Sequence, residues 1–192
     1  TQHAADLCIA AIPPPALAKL ISAETFPDLH ATLNQYIPSP ILSVNLWFDQ
    51  PIFQEPLCGL IGTTMEWVFN KPVLYQKHDQ ASPGHVTLVA SAARNLVKRS
   101  NDDLISLAVA ELNQTFANSK SANLMHAKVI REYAATYSLP PGNTAPGPHT
   151  SHPDFFLAGD WTNTGLPATI ESAVRSGYTA AEAVLSKQKK SR

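Results

Sequence analysis

Net charge, cysteine and long hydrophobic runs are all scarce in this sequence. A formal charge of −1 over 192 residues gives no electrostatic basis for binding nucleic acid. The two cysteines, Cys8 and Cys58, have no motif spacing, which favours a reduced, cytoplasmic protein over a secreted, disulfide-linked one. No run reaches the roughly 18 apolar residues of a membrane-spanning helix, and the first residues do not resemble a signal peptide.

Glycine is also sparse, and its spacing excludes the common phosphate-binding loops. None of the eight glycines falls in a Gly-x-Gly-x-x-Gly or Walker arrangement. The sequence shows no zinc-ligand spacing and no Ser-His-Asp set either. A nucleotide pyrophosphate therefore has no recognisable binding loop within these residues.

Apolar residues make up 44% of the chain, an ordinary value for a globular protein with a proper core. Near the start, Asp6–Ile12 predicts a fully buried parallel strand that Pro13–Pro15 ends, with a helix from Ala16 to Ile21. Residues 23–36 are compatible with a helix. These features predict an α/β arrangement for residues 1–37.

The middle of the chain, residues 38–136, predicts a mixed, largely antiparallel sheet with one helix. Pro38 and Pro40 are expected to break the chain before the first strand. The predicted strands cover residues 41–48, 57–61, 66–69, 86–91 and 128–136. Ser100 or Asn101 can cap the helix. Its apolar face would comprise Leu104, Ala108, Leu112 and Phe116.

Residues 137–192 predict a proline-rich loop followed by a strand, a short turn and a long helix. The apolar run Phe155–Ala158 stops at Gly159-Asp160, and Gly165 and Pro167 lie in the loop before the helix. Residues 187–192 predict a basic, solvated tail. The predicted apolar stripe of the helix comprises Ile170, Ala173, Val174, Gly177, Ala181 and Val184.

The stretch Ala158-Gly159-Asp160-Trp161-Thr162-Asn163-Thr164-Gly165-Leu166-Pro167-Ala168-Thr169-Ile170-Glu171 resembles the C-terminal flavin-binding signature of the FAD-dependent amine oxidase and desaturase superfamily. Its wording is most similar to that of the hydroxysqualene dehydroxylases. The resemblance implies an α/β fold: the C-terminal portion of an FAD-binding Rossmann-like domain, in residues 1–37 and 137–192, plus a substrate-binding domain in residues 38–136. Because the dinucleotide loop is missing, we expect the chain to be the C-terminal part of a longer enzyme, whose N-terminal half is its partner.

The resemblance also implies which residues bind the cofactor, FAD. Gly159 and Asp160 would lie near the ribityl chain or pyrophosphate, and Trp161 near the flavin or the substrate, although an ordinary core role for Trp161 is equally favoured. Pro167 would begin the closing helix. The backbone N–H groups of Ala168, Thr169 and Ile170 would then contact the pyrimidine edge of the flavin.

An apolar substrate is expected from the aromatic residues of the middle segment. Trp47, Trp67 and Phe69, with Phe48, could supply the apolar lining that a polyisoprenoid needs, because such a substrate offers almost no hydrogen-bonding groups. For any one of them, plain sheet core is the more favoured interpretation. The implied reaction is reductive dehydroxylation of hydroxysqualene to squalene in hopanoid synthesis. The alternatives are a phytoene-type desaturase, a flavin amine oxidase, or a non-catalytic remnant. No residue is marked as the catalytic acid, and peripheral contact with a membrane is left open.

Two further pairs of side chains are interpreted as structural and not as parts of a site. His149 and His152 could hold a metal, but they lie in the proline-rich loop without a completing ligand set, so solvated loop residues are the better interpretation. Glu171 and Arg175, four residues apart on the closing helix, predict an ion pair.

Overall fold

A computed structural model describes residues 4–75 and 83–190. This part of the chain divides into two compact units, one drawn from Thr1–Pro38 and Thr136–Arg192 and the other from Ser39–Ala135. The first unit contains strands β1 (Cys8–Ala10) and β7 (Phe155–Leu157) and helices α1 (Pro14–Leu20), α2 (Pro27–Leu33) and α5 (Ile170–Lys190). The second contains β3 (Leu57–Gly59), β4 (Trp67–Asn70), β5 (Gly84–Ala90), α3 (Lys71–Leu74) and α4 (Asn101–Thr115). Two long strands, β2 (Ile37–Phe48) and β6 (Leu124–Ser138), also belong mainly to the second unit.

The sheet of the second unit has the order β3-β4-β5-β2-β6. The pairs β2–β5, β3–β4 and β4–β5 are antiparallel, which confirms the predicted antiparallel sheet. Along β2, every second residue from Leu42 to Phe48 is buried, the period expected of a strand with one face in a core. The predicted break at Pro38 and Pro40 is wrong, because β2 begins at Ile37. Both prolines precede Leu42, where the register with β5 starts, so that ladder does not need their missing N–H groups.

Helix α4 packs its predicted face into the core of the second unit. Leu104, Ala108 and Leu112 are fully buried and join one cluster with the buried residues of β2 and β5. Ser100 is the N-cap, with its hydroxyl accepting from the Asp103 N–H at 3.1 Å. Phe116 lies just beyond the helix and stacks on Phe53 at 4.6 Å between ring centroids. The start of the helix and its buried residues Leu104, Ala108 and Leu112 were therefore predicted correctly, whereas Phe116 is half-buried and follows the helix.

The sheet of the first unit contains only two strands among the described residues. β1 and β7 run parallel, with Cys8 opposite Phe155 and Ala10 opposite Leu157. The prediction of a fully buried strand over residues 6–12 is wrong: β1 has three residues, and Ile9 is 45% exposed. A parallel strand is fully buried only where both faces of its sheet are covered, and the side of β1 that carries Ile9 is not covered within the described residues.

Two predictions about proline and lysine segments need correction in the first unit. Helix α1 starts at Pro14, inside the proline run expected to separate strand and helix, because proline is tolerated in a first helical turn. The predicted solvated tail is helical as far as Lys190, and residues 191–192 lie outside the described residues. The Lys187 ammonium pairs with Asp154 and donates to the Pro153 carbonyl at 2.8 Å.

None of the helices in residues 4–75 and 83–190 is long and apolar enough to cross a bilayer.

Candidate functional site

The turn after β7 is built around Gly159. Its φ of +139° lies in the region that favours glycine, and a Cβ there would approach Cδ1 of Trp161 to 2.7 Å. The Gly159 N–H donates to the Ser176 hydroxyl of α5 at 2.7 Å. The Gly159 carbonyl accepts from both the N–H and the hydroxyl of Thr162, at 3.1 and 2.8 Å. Both backbone polar groups of this glycine are thus used to fix the turn that contains Asp160.

Trp161 lies in the core of the first unit. It is 4% exposed and meets Tyr36 edge to face, with 5.6 Å between ring centroids. Its indole N–H donates to the Ile12 carbonyl at 3.0 Å, and its own carbonyl accepts from the Tyr36 hydroxyl at 2.7 Å. Burial raises the pKa of Tyr36 to about 12, so this donor keeps its proton. The contacts fit the core interpretation of Trp161, in which the side chain holds Gly159 in place.

The Asp160 carboxylate is half-buried and has no hydrogen-bond partner within the described part of the chain. Only its backbone is engaged, because the Asp160 carbonyl accepts from the Ser172 hydroxyl at 3.1 Å. Ser172 in turn lies 2.6 Å from the Thr164 hydroxyl. The loop therefore fixes the Asp160 backbone on α5 and leaves the carboxylate available to a ligand.

The start of α5 presents N–H groups without acceptors. Thr169 caps the helix, since its hydroxyl accepts from the Ser172 N–H at 3.2 Å and its carbonyl accepts from the Ala173 N–H at 3.0 Å. Within residues 4–75 and 83–190, no acceptor pairs with the N–H of Ala168, Thr169 or Ile170. Thr169 and Ile170 are exposed. The expectation that Pro167 would begin the helix is wrong, because α5 begins at Ile170 and Pro167 lies two residues before the Thr169 cap. Such N–H groups carry the positive end of the helix dipole and suit an electron-rich acceptor.

The buried side of α5 differs from the predicted apolar stripe. Ser172, Ser176 and Ala180 are buried, whereas Ile170 is 87% and Val174 50% exposed. The small residues allow close approach to the Gly159 turn, and the two hydroxyls bond its backbone. The spacing Ser172-x-x-x-Ser176-x-x-x-Ala180 is the sequence signal that could have identified this side. Four large side chains remain exposed on the helix: Ile170, Val174, Tyr178 and Leu185.

Arg175 and the two loop histidines do not form the pairs considered from sequence. Arg175 donates to the Thr164 carbonyl at 3.3 Å, and no ion pair joins it to Glu171 although both lie among the described residues. The backbone of His149 forms an isolated antiparallel β-bridge with Phe156 of β7. His152 Nδ1 accepts a hydrogen bond from the Asp154 N–H at 3.3 Å. Both histidines are exposed, as loop residues are. The described residues include no cluster of three or more His, Cys, Asp or Glu side chains that could hold a metal.

A second surface of interest is the sheet face of the second unit that points away from its core. Antiparallel partners share a face, so Trp47 lies with His85, Phe69 with Thr87, and Trp67 with Val89. Leu57 lies opposite Phe69 and is 41% exposed, and Trp67 is 45% exposed. We call this surface the aromatic face; it comprises Asn45, Trp47, Leu57, Trp67, Phe69, His85, Thr87 and Val89. Trp47, Trp67 and Phe69 therefore lie on one face of one sheet, whereas Phe48, the fourth aromatic residue considered for this lining, lies in the core on the other face.

His85 is a feature of the aromatic face that the sequence did not reveal. Its Nε2 atom is buried and has no hydrogen-bond partner. Trp47 stacks on its ring at 4.2 Å with an interplanar angle of 14°. Burial and, secondly, the positive charge of Lys71 lower the pKa of His85, so the imidazole is neutral at pH 7. A single histidine in a β-branched strand carries no sequence signal of such a position.

Comparison with known proteins identifies the family of the chain. The sequence model of flavin containing amine oxidoreductases matches residues 1–185. The chain belongs to this family. FAD, the cofactor expected from sequence, is the cofactor that membership implies. The free N–H groups before α5 fit it chemically, because the pyrimidine edge of a flavin is a hydrogen-bond acceptor.

The similar curated proteins include enzymes of isoprenoid metabolism. Hydroxysqualene dehydroxylase of Sinorhizobium fredii is 32% identical over 184 residues, which cover 94% of this chain and 39% of that protein. The enzyme of the same name from Rhodopseudomonas palustris is 34% identical over 183 residues, 94% of this chain and 38% of that protein. The 15-cis-phytoene desaturase of Synechococcus elongatus is 25% identical over 156 residues, 78% of this chain and 33% of that protein. The chain thus spans about two fifths of the length of the hydroxysqualene dehydroxylases it matches.

Solved structures confirm the fold. An oxidoreductase from Methanosarcina mazei matches with a TM-score of 0.68 at 18% identity, over 94% of this chain and 43% of that one. Wild-type putrescine oxidase bound to putrescine matches with a TM-score of 0.65 at 15% identity, over 93% of this chain and 42% of that one. The predicted fold class, part of a flavin-binding α/β domain with a largely antiparallel second sheet, is confirmed.

Proposed function

We propose that this chain is part of an FAD-dependent oxidoreductase that acts on a polyisoprenoid, by reductive dehydroxylation of hydroxysqualene to squalene in hopanoid synthesis. The observation that carries the substrate class is the aromatic face, where Trp47, Trp67 and Phe69 share one surface with the exposed Leu57. A long hydrocarbon chain needs such a lining because it binds by burying apolar area. The identity with hydroxysqualene dehydroxylases over 94% of the chain supports the specific reaction.

The first unit would hold the flavin. The N–H groups of Ala168, Thr169 and Ile170 would face its pyrimidine edge, and Asp160 would accept from a ribityl hydroxyl, directly or through water. Gly159, fixed by Trp161 and Ser176, would place Asp160 and the loop to Pro167 beside it. When bound, FAD supplies the two-electron redox chemistry, and the protein residues position it and the substrate.

We also propose that a segment outside this sequence completes the cofactor site. The sequence lacks a Gly-x-Gly-x-x-Gly loop, which would hold the pyrophosphate. The exposed side of α5 supports the same conclusion, because Ile170 and Tyr178 are 87% and 71% exposed, whereas the buried residues given for this helix, Ser172, Ser176 and Ala180, are all small. The N-terminal half of the same enzyme is the partner that would cover these side chains.

An amine substrate, as in putrescine oxidase, is disfavoured by charge on the aromatic face. The Lys71 ammonium lies 5.9 Å from the centroid of Phe69 and 5.4 Å from that of Tyr75. A positively charged side chain already occupies the electron-rich aromatic surface that an ammonium substrate would use. A phytoene-type hydrocarbon substrate has no such conflict, so a desaturase is the second candidate function.

The test is a product assay with the full-length, FAD-loaded protein. Hydroxysqualene with a chemical or enzymatic reductant should give squalene. Phytoene with an electron acceptor, and putrescine with oxygen, are the matched assays for the two other reactions. Desaturated phytoene, or hydrogen peroxide from putrescine, without any squalene would reject the proposed reaction.

A further inference from the structure

The aromatic face contains one polar atom that the protein itself leaves unpaired. His85 Nε2 is buried and lacks a hydrogen-bond partner, a rare state that is destabilising in a folded protein. Other polar groups nearby are satisfied: the Thr87 hydroxyl donates to Asn45 Oδ1 at 2.7 Å. The missing partner of His85 is therefore something other than its neighbours on the sheet.

The position of His85 relates the unpaired atom to the surface proposed for the substrate. His85 lies opposite Trp47 in the β2–β5 register and stacks on its indole at 4.2 Å. Thr87, two residues along β5, lies opposite Phe69 of β4. Thr87 and Asn45 on the same face bond each other, and Trp47 offers the imidazole only its ring, so a hydrocarbon chain lying on this face would leave Nε2 without a partner.

We propose that His85 Nε2 hydrogen-bonds the hydroxyl of the isoprenoid substrate and makes the site select a hydroxylated isoprenoid over the corresponding hydrocarbon. This inference rests on the proposed function. A neutral imidazole has one donor and one acceptor nitrogen, and a hydroxyl can serve either, so the pair forms in both tautomers. Sites built to bond a hydroxyl discriminate strongly against the analogue without it, because the buried polar group is then left unpaired. On the aromatic face, His85 would thus favour the hydroxylated substrate of a dehydroxylation over the hydrocarbon substrate of a desaturation.

The experiment measures binding without turnover, using the full-length protein with its flavin kept oxidised so that no hydride is available. Dissociation constants for hydroxysqualene and squalene, which differ by the hydroxyl, are measured in detergent micelles for wild type and His85→Leu. We expect His85→Leu to weaken hydroxysqualene binding at least about five-fold, as loss of one hydrogen bond implies. Squalene binding should stay unchanged or become tighter, because the unpaired atom is gone. His85→Gln, which keeps a donor and an acceptor, should recover part of the preference.

His126→Leu is the matched control. Its ring also contacts Trp47, at 5.0 Å between centroids, but His126 is exposed, so the ratio of the two dissociation constants should not change. If His85→Leu weakens both ligands equally, or neither, the inference is overturned. If the wild-type protein binds neither lipid and forms no squalene, the proposed function itself fails. Squalene formation together with an unchanged ratio in His85→Leu rejects only the role of His85.

Discussion

The two units of the chain contain apolar cores of different size. In the second unit, a five-stranded sheet and α4 bury a single cluster in which Leu42, Val44, Leu46 and Leu112 are all inaccessible. In the first unit, the two-stranded sheet leaves Ile9 45% exposed, and α5 leaves Ile170 87% exposed. The second unit thus contains the larger apolar core, although large apolar side chains, Ile61 and Trp67 among them, are exposed on it as well. In the first unit, we propose that the N-terminal half of the enzyme covers the exposed side chains of α5.

The largest expected effect tests the apolar core of the second unit. Leu112→Ala removes a fully buried side chain from α4 and should lower the free energy of unfolding by about 2–5 kcal/mol. Ile61→Ala, at a residue 99% exposed, should change it by less than about 0.5 kcal/mol. Urea denaturation of both variants and wild type provides the comparison. Similar midpoints for the two variants would mean that Leu112 does not lie in the core of the second unit as described.

Gly159→Ala tests the turn that presents Asp160. A residue with a Cβ is strained at φ +139°, which alone costs about 1–3 kcal/mol, and the added Cβ would also collide with Trp161. We therefore expect the free energy of unfolding to fall by at least this amount and bound FAD to be lost. Gly165→Ala is the control, because its φ is +75° but nothing lies within 4 Å of an added Cβ. Thermal unfolding and flavin absorbance after dialysis should show a clearly smaller defect in the control. Equal defects would assign the effect to backbone strain alone.

Asp160→Ala should weaken FAD retention in the full-length protein while the fold persists. The carboxylate has no partner in the described part of the chain, so its removal breaks no internal bond. Losing one charge-assisted hydrogen bond to the cofactor corresponds to about 1.5–3 kcal/mol of binding free energy. Flavin titration and circular dichroism measure the two properties separately. Wild-type FAD affinity in the variant would show that Asp160 has no contact with the cofactor.

Val174→Ser tests the exposed side of α5 and has the smallest expected effect. Val174 is 50% exposed in this chain, so the substitution should leave the isolated chain nearly unchanged. In the full-length protein, where we propose that the N-terminal half covers this side, it should destabilise by about 1 kcal/mol. Ser186→Ala, on the same helix, provides a reference. Equal small effects in both proteins would mean that this side is not an internal interface.

The comparison of the units also explains what could be predicted from sequence. The α4 face and the strand pattern of β2 were predictable because periodic apolar residues there are buried by the chain's own core. The same reasoning failed on α5, where the apolar stripe faces outward and Ser172 and Ser176 face inward. Periodicity identifies which residues are apolar but not which partner covers them. Nothing in the sequence around His85 could show that its Nε2 would be buried without a partner, because that depends on Trp47 across the sheet.

The most direct test of the central claim is a titration of these 192 residues with FAD, in parallel with the full-length protein. The chain is proposed to contact the flavin edge but to lack the pyrophosphate loop, which supplies a helix dipole and N–H donors. We therefore expect weak binding without a perturbed flavin spectrum for the isolated chain, and stoichiometric binding for the full-length protein. Tight, stoichiometric binding by the isolated chain would contradict the proposal that another segment completes the site.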